Sequence, residues 1–433
     1  MRMFKKVALC AVIVLACVLN PSAYAVEIPA TFTFNGSGYG HGVGMSQIGA
    51  RGQALEGRNA SEILSYYYPG TQLQAINDSQ TIRVNIGHLL TTTSISLANG
   101  AGEFSVYRGN GELVGTYSRD ITATFSLVTD LVIPQLTSPT AKFSPLPGAN
   151  QFTITWKEPS TLRVGVDTST ETSLYKYGFL SIKTVSTVAG PRMELVNALN
   201  LHDEYLWGIG EVPSSWPAAA LEAQAIASRT YALTKIGSIR KECDCHVYNT
   251  IADQNFVGFS KESELIYGPM WKAAVNRTSV DSQTGLAVIY NGKVANTYFF
   301  SSSAGATQNI KDVWSGTYPY LVSVPDTWSV VSQLNPRYYT WDRVVSQKTM
   351  AAAFGLPDVV SYQILARSKT GAVTTIQGIS SSGKVVTLSG EAFRSRVKIP
   401  SAWFGLIVNQ VLVDNFDSCV DLPRRTRGKT AAC

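Results

Sequence analysis

Four short segments hold residues whose types and spacing suit chemistry. In residues 205–217, YLWGIGEVPSSWP, Glu211 is a lone acid among Trp207, Ile209, Val212, Pro213 and Trp216. A carboxyl in an apolar pocket is harder to ionise, so its pKa rises. An acid that stays protonated near neutral pH can hand a proton to a leaving group. On the surface before a helix, the same glutamate would merely complement the helix dipole. Residues 36–54, GSGYGHGVGMSQIGARGQA, alternate glycines at 36, 38, 40, 42 and 44 around His41. Such a run allows unusual backbone angles and close approach to a ligand, or forms a plain structural turn. It lacks the spacing of a dinucleotide loop and the Gly-Lys-Ser/Thr of a phosphate loop.

In the third segment, residues 243–259, Cys243, Cys245 and His246 fall within four residues. Thiolates and an imidazole suit zinc. The spacing is not that of a standard finger, and the fourth ligand would be His41 or a water. Two cysteines packed or oxidised together are the other reading. In residues 299–321, Ser301, Ser302 and Ser303 precede Gln308, Asn309 and Trp314. Hydroxyls, amides and an aromatic face suit a sugar. No G-x-S-x-G surrounds the serines, which disfavours a serine hydrolase.

These segments need elements to position them. Helices are predicted near residues 46–56 and 60–67, ended by Pro69-Gly70. Residues 80–200 read as strands: Ile82, Val84 and Ile86 alternate with polar neighbours, as do Phe152, Ile154 and Trp156. Pro134, Pro139, Pro145 and Pro147 predict a loop inside that zone. A long helix, AAALEAQAIASRTYALTKI, follows Pro217, with Ser214 or Ser215 as its cap. Its alanines make a slim surface that lets another backbone come close. Asn291-Gly292 predicts a hairpin between AVIY and KVANTYFF. Gly371 and Gly383 mark later turns. The pattern is that of a strand-rich α+β fold with a few helices around a cleft.

The chain has 433 residues, of which 45% are hydrophobic, enough for a sizeable core and against global disorder. Residues 1–25 read as a secretory signal: Arg2, Lys5 and Lys6, an apolar run from Val7 to Val18, then Ala23-Tyr24-Ala25. No later apolar run is long enough to span a bilayer. The net charge is +6. Three basic residues lie in the signal, and Arg424, Arg425, Arg427 and Lys429 stand against Asp421 in the tail. With these set aside, basic and acidic residues balance, which argues against a nucleic-acid partner. An exported chain meets oxidants, so Cys419 and Cys433 could close the tail into a loop.

Together the four segments resemble the stage II sporulation protein D (SpoIID) family, which includes the amidase enhancer LytB. YLWGIGEVPSSWPAAALEAQAIASRTYA looks like the family's core, an acid before a short apolar-proline pair and an EALKAQA-like helix. CDCHVYNTIADQNFVGF, FSSSAGATQNIKDVWSGTYPYL, GYGHGVGMSQIGARGQA, NPRYYTWDRVVSQKTMAAAF and GEAFRSRVKIPSAWF also look like family segments. The resemblance runs over most of residues 36–405. Its order departs in one respect. The glycine–histidine motif usually follows the rest of the domain, and here it comes first. That looks like a circular permutation, which a fold tolerates if its ends meet, and it places residues 36–70 near Phe404. The implied layout is a permuted segment at 36–75, a β-rich lead at 80–200, the catalytic region at 201–415 and a basic tail at 416–433.

The resemblance implies a secreted lytic transglycosylase acting on peptidoglycan glycan strands in the cell wall, with Glu211 as its single acid/base. It implies that Gln224, Arg229 and Tyr231 line the cleft with His41, Ser302 and Ser303. Arg229 would then be close enough to pair with Glu211 and lower its pKa. No cofactor is required. Some relatives bind zinc at wider cysteine spacing, which keeps Cys243, Cys245 and His246 as candidate ligands. A second reading is a non-catalytic wall-binding protein that enhances an N-acetylmuramoyl-L-alanine amidase. A third is an ordinary glycoside hydrolase, with Asp253 or Asp312 as a second carboxylate.

Overall fold

The structure, a computed structural model, describes residues 27–98, 102–167, 169 and 171–405. The signal, the basic tail, Cys419 and Cys433 lie outside them. The described chain is a strand-rich α+β fold, and none of its helices is long and apolar enough to cross a membrane.

The period-two segments form two sheets. The larger has seven strands, in the order Val247–Tyr248, Thr81–Leu90, Gly190–Asn200, Phe179–Thr187, Gln151–Trp156, Phe104–Arg108 and Leu113–Tyr117. All its pairings are antiparallel except that of Val247–Tyr248, which runs parallel to Thr81–Leu90. The smaller sheet has five: Thr172–Tyr175, Leu162–Val166, Thr92–Leu97, Thr122–Val128 and Leu131–Thr137. Apolar side chains of both sheets, among them Ile95, Phe104, Phe125, Phe152 and Ile154, share one core. Phe125 and Phe152 join the sheets with ring centroids 5.6 Å apart. Pro134 corrects the expected loop. It sits in Leu131–Thr137, an edge strand, where the N–H that proline lacks has no ladder to serve. The other three prolines do lie in the following loop.

The helices start where local chemistry lets them. Helix α1 (Gln47–Leu55) is capped by Ser46, whose Oγ accepts the Gly49 N–H at 3.1 Å. Helix α2 (Ala60–Tyr67) has a reciprocal capping box between Asn59 and Glu62. Helix α3 (Ala218–Leu233) follows Pro217 directly and has no side-chain cap, so neither Ser214 nor Ser215 plays that part. Proline's fixed φ starts the helix instead. Small side chains around α3, such as Ala223, Ala225 and Ala227, are fully buried and let α1, α2, helix α4 (Gly268–Arg277) and strand Thr284–Tyr290 all pack on it.

The hairpin at Asn291-Gly292 forms with φ of 48° and 74°, but its second strand is only Lys293–Val294. Farther on, Phe299–Phe300 pairs in parallel with Met45–Ser46, at the start of α1. The C-terminal unit is a three-stranded meander, Ser361–Arg367, Val373–Ile379 and Val385–Ser389, turning at Gly371 and Gly383. It is packed by helices α5 (Gln347–Phe354) and α6 (Gly390–Val397). The strand Thr31–Gly36 is sewn into this unit by antiparallel pairing with Trp341–Ser346. Phe34 packs against Phe393 and Phe404 at 5.5 and 5.4 Å. Gly36 bridges Phe404 and Gly40 bridges Ser401. The glycine–histidine segment therefore packs against the end of the described chain, near Phe404.

Candidate functional site

Glu211 lies in the turn that leads into α3, clamped by a segment from farther along the chain. Ile209 bridges Phe256. Gly210 donates its N–H to the Asn255 carbonyl at 2.8 Å, and the Asn255 amide returns a bond to the Gly210 carbonyl at 2.9 Å. The Asn255 backbone N–H then reaches Oε1 of Glu211 at 2.7 Å. One residue on, Lys261 Nζ holds the Val212 carbonyl at 2.6 Å.

Burial pushes the pKa of Glu211 up. The Asn255 N–H, the Gln47 amide and the Lys261 charge pull it back, in that order, and the net shift is upward. Among the described residues, no Lys or Arg lies within ion-pair distance of this carboxylate. Lys261 is itself buried, and burial lowers its pKa to about 8.

The glycine segment brings two groups. Glycines 38, 40, 42 and 44 all take positive φ. A Cβ at Gly44 would stand 2.0 Å from the Tyr298 carbonyl oxygen, so no other residue fits there. The segment delivers Gln47, whose Nε2 donates to Gln224 Oε1 at 3.2 Å. Gln224 in turn donates to Ser228 at 3.1 Å. Gln224 is thus buried and linked to Glu211 through Gln47. The segment also delivers His41. Its Nδ1 accepts the Val43 N–H at 3.1 Å, so its own proton sits on Nε2. Burial first, then the Arg394 charge, push its pKa down to about 3, so the ring is neutral near pH 7. His41 and Tyr231 line one cavity of about 320 Å³, together with Tyr298 and Trp314.

Other expected cleft residues are elsewhere. Arg229 is fully buried and pairs with Asp78, Nε to Oδ2 at 2.6 Å. Its Nη1 donates to Thr278 Oγ1 at 2.8 Å, and Asp78 also pairs with His202 at 2.6 Å. It neither lines a cleft nor touches Glu211, because its position on α3 faces strand Thr284–Tyr290, where Gly285 leaves it room. Ser302 and Ser303 are buried too. The Ser302 backbone pairs with Tyr39 and so braces the glycine segment, while Ser303 Oγ donates to Asp326 at 2.6 Å.

Cys243 and Cys245 form a disulfide, the oxidised-pair reading. In that state they present no thiolates, and His246 Nδ1 already accepts the Arg83 N–H at 3.0 Å. Among the described residues, no group of three or more His, Cys, Asp or Glu side chains is placed to hold a metal. The residues present do not suit zinc.

Asp253 accepts from Tyr231 Oη, both Arg240 Nη atoms and the Tyr248 N–H, at 2.7 to 2.9 Å. These bonds occupy both of its carboxylate oxygens. Sequence reasoning overlooked Asn255, Gln47 and Lys261. Asn255 acts through its backbone N–H, which no residue type signals.

The family model described as "Stage II sporulation protein" matches residues 189–283, the stretch that holds Glu211, α3, Asn255 and Lys261. The "Amidase enhancer" of Bacillus subtilis (strain 168) is 34% identical over 117 residues, 27% of this chain and 14% of that protein. The "Stage II sporulation protein D" of the same strain is 29% identical over 143 residues, 31% of this chain and 40% of that one. Its counterpart in Bacillus amyloliquefaciens is 28% identical over 215 residues, 47% and 59%. The matched part thus spans less than two thirds of each relative. No solved structure matches the chain. Residues 189–283, which hold the acid and its clamp, are thus similar to the stage II sporulation protein D family.

Proposed function

We propose that the protein is exported to the cell wall and acts there as a peptidoglycan lytic transglycosylase, with Glu211 as its single acid/base. The observation that carries this reading is a carboxyl whose pKa is raised by burial, held by the Asn255 N–H, with no ion-pair partner among the described residues. The family and the names of its relatives support work on the wall. Glu211 in its protonated form gives its proton to the glycosidic oxygen. The resulting carboxylate takes a proton from the 6-hydroxyl of the same muramic sugar. That oxygen attacks C1 and closes a 1,6-anhydro ring. No water enters, so no second carboxylate is needed. Asp253, tied down by its donors, is consistent with this economy.

The test is mass spectrometry of products from intact and peptide-stripped peptidoglycan. Ends in 1,6-anhydro-muramic acid are expected from the wild type and absent with Glu211→Gln. Reducing ends would point to a hydrolase instead. No product from either substrate, with glycan binding retained, would favour the enhancer role that the name of one relative suggests.

A further inference from the structure

The cavity shared by His41 and Tyr231 holds a charge that the proton-transfer chemistry does not use. Two cations and one acid line it. Arg240 and Asp253 cancel, since both Nη atoms sit on the carboxylate at 2.8 and 2.7 Å. His41 is neutral. That leaves Lys235, half-buried two residues past the end of α3. Among the described residues its Nζ makes no hydrogen bond and no ion pair, and it rests 4.8 Å from the centroid of the Tyr231 ring. Burial lowers its pKa, so the ammonium lacks some of its hydration and gains from an anion. The rest of the wall is aromatic. Trp314 lies 5.1 Å from Tyr298 and 4.7 Å from His41, centroid to centroid. Such a wall takes the apolar face of a ring while polar edges find donors. At about 320 Å³ the cavity is at the small end for ligand sites, sized for one sugar unit with a substituent.

We propose that this cavity is a subsite for a sugar unit bearing a carboxylate, with Lys235 Nζ on the carboxylate and Trp314 against the ring. Only the origin of that sugar, in the wall glycan, rests on the function proposed above. Binding itself needs no proton transfer at Glu211.

The experiment uses the full chain carrying Glu211→Gln, so that no glycan is turned over. Two pairs of probes are titrated by calorimetry and tryptophan fluorescence: glucuronic acid against glucose, and N-acetylmuramic acid against N-acetylglucosamine. In at least one pair, the acidic member should bind on the order of tenfold tighter, with a preference that shrinks as salt is raised. Lys235→Met should abolish the preference, and Lys235→Arg should keep it. Trp314→Leu should weaken both members of a preferred pair alike. A preference confined to the muramic pair identifies the lactyl carboxylate of the wall glycan as the group read. A preference in both pairs shows that any sugar carboxylate serves. Equal binding within both pairs, or a preference that survives Lys235→Met, overturns the proposal. An absence of turnover by the wild type, with acid preference intact, would count against the transglycosylase and leave this subsite standing.

Discussion

Acid should weaken this protein through His41. An unfolded histidine titrates near 6.5. In the fold His41 is held at about 3, chiefly by burial and then by the Arg394 charge. Between these two values the unfolded chain binds a proton that the folded chain refuses. Stability therefore falls as the pH drops through that window. At pH 5 the unfolded group is already largely charged, and the loss relative to pH 7 approaches about 2 kcal/mol. Other groups also titrate over this range, so the informative quantity is a difference. Urea unfolding of the wild type and of His41→Gln would be compared at pH 7 and pH 5. The wild type should lose about 2 kcal/mol more than the variant on acidification. Parallel losses in the two proteins would refute the claim that a neutral, partly buried imidazole is built into the glycine segment.

Two further outcomes are expected. Lys261→Met removes a cation that favours the Glu211 carboxylate, so the pKa of Glu211 should rise. The alkaline limb of the cleavage profile should then move up, and only modestly, because this influence is the weakest of those acting. Cleavage measured against pH would show it, and an unmoved or lowered limb would break the link. Asp78→Asn leaves the Arg229 guanidinium buried beside a neutral partner. A loss of about 3–5 kcal/mol in urea unfolding is expected, and a loss below about 1 kcal/mol would mean that the pair does little for stability.

What was legible in the sequence was local. Alternation at Phe152, Ile154 and Trp156 needs only a pleated strand with one buried face. The helices expected near residues 46–56 and 60–67 form at Gln47–Leu55 and Ala60–Tyr67. Asn291-Gly292 turns because both residues accept positive φ. Glu211 stood out as an acid among apolar neighbours, but its burial could not be read there. The N–H that holds it belongs to Asn255, 44 residues later. Arg229 shows the opposite outcome. Its place on a family-like helix suggested the cleft, and its partner is Asp78, 151 positions away. Ser302 and Ser303 read as sugar contacts because they are polar, yet the glycine segment covers them. Cys243 and Cys245 allowed either zinc or a disulfide from spacing alone, and their pairing became visible only in the folded loop. Sequence by itself determined the Asn291-Gly292 turn and the strand faces, since these depend on dihedral preferences and on neighbours a few residues apart. Tertiary structure decided which charges are paired, which acid is desolvated and which histidine is neutral. Desolvation and pairing are sums over everything packed around a group, and most of that packing comes from distant parts of the chain.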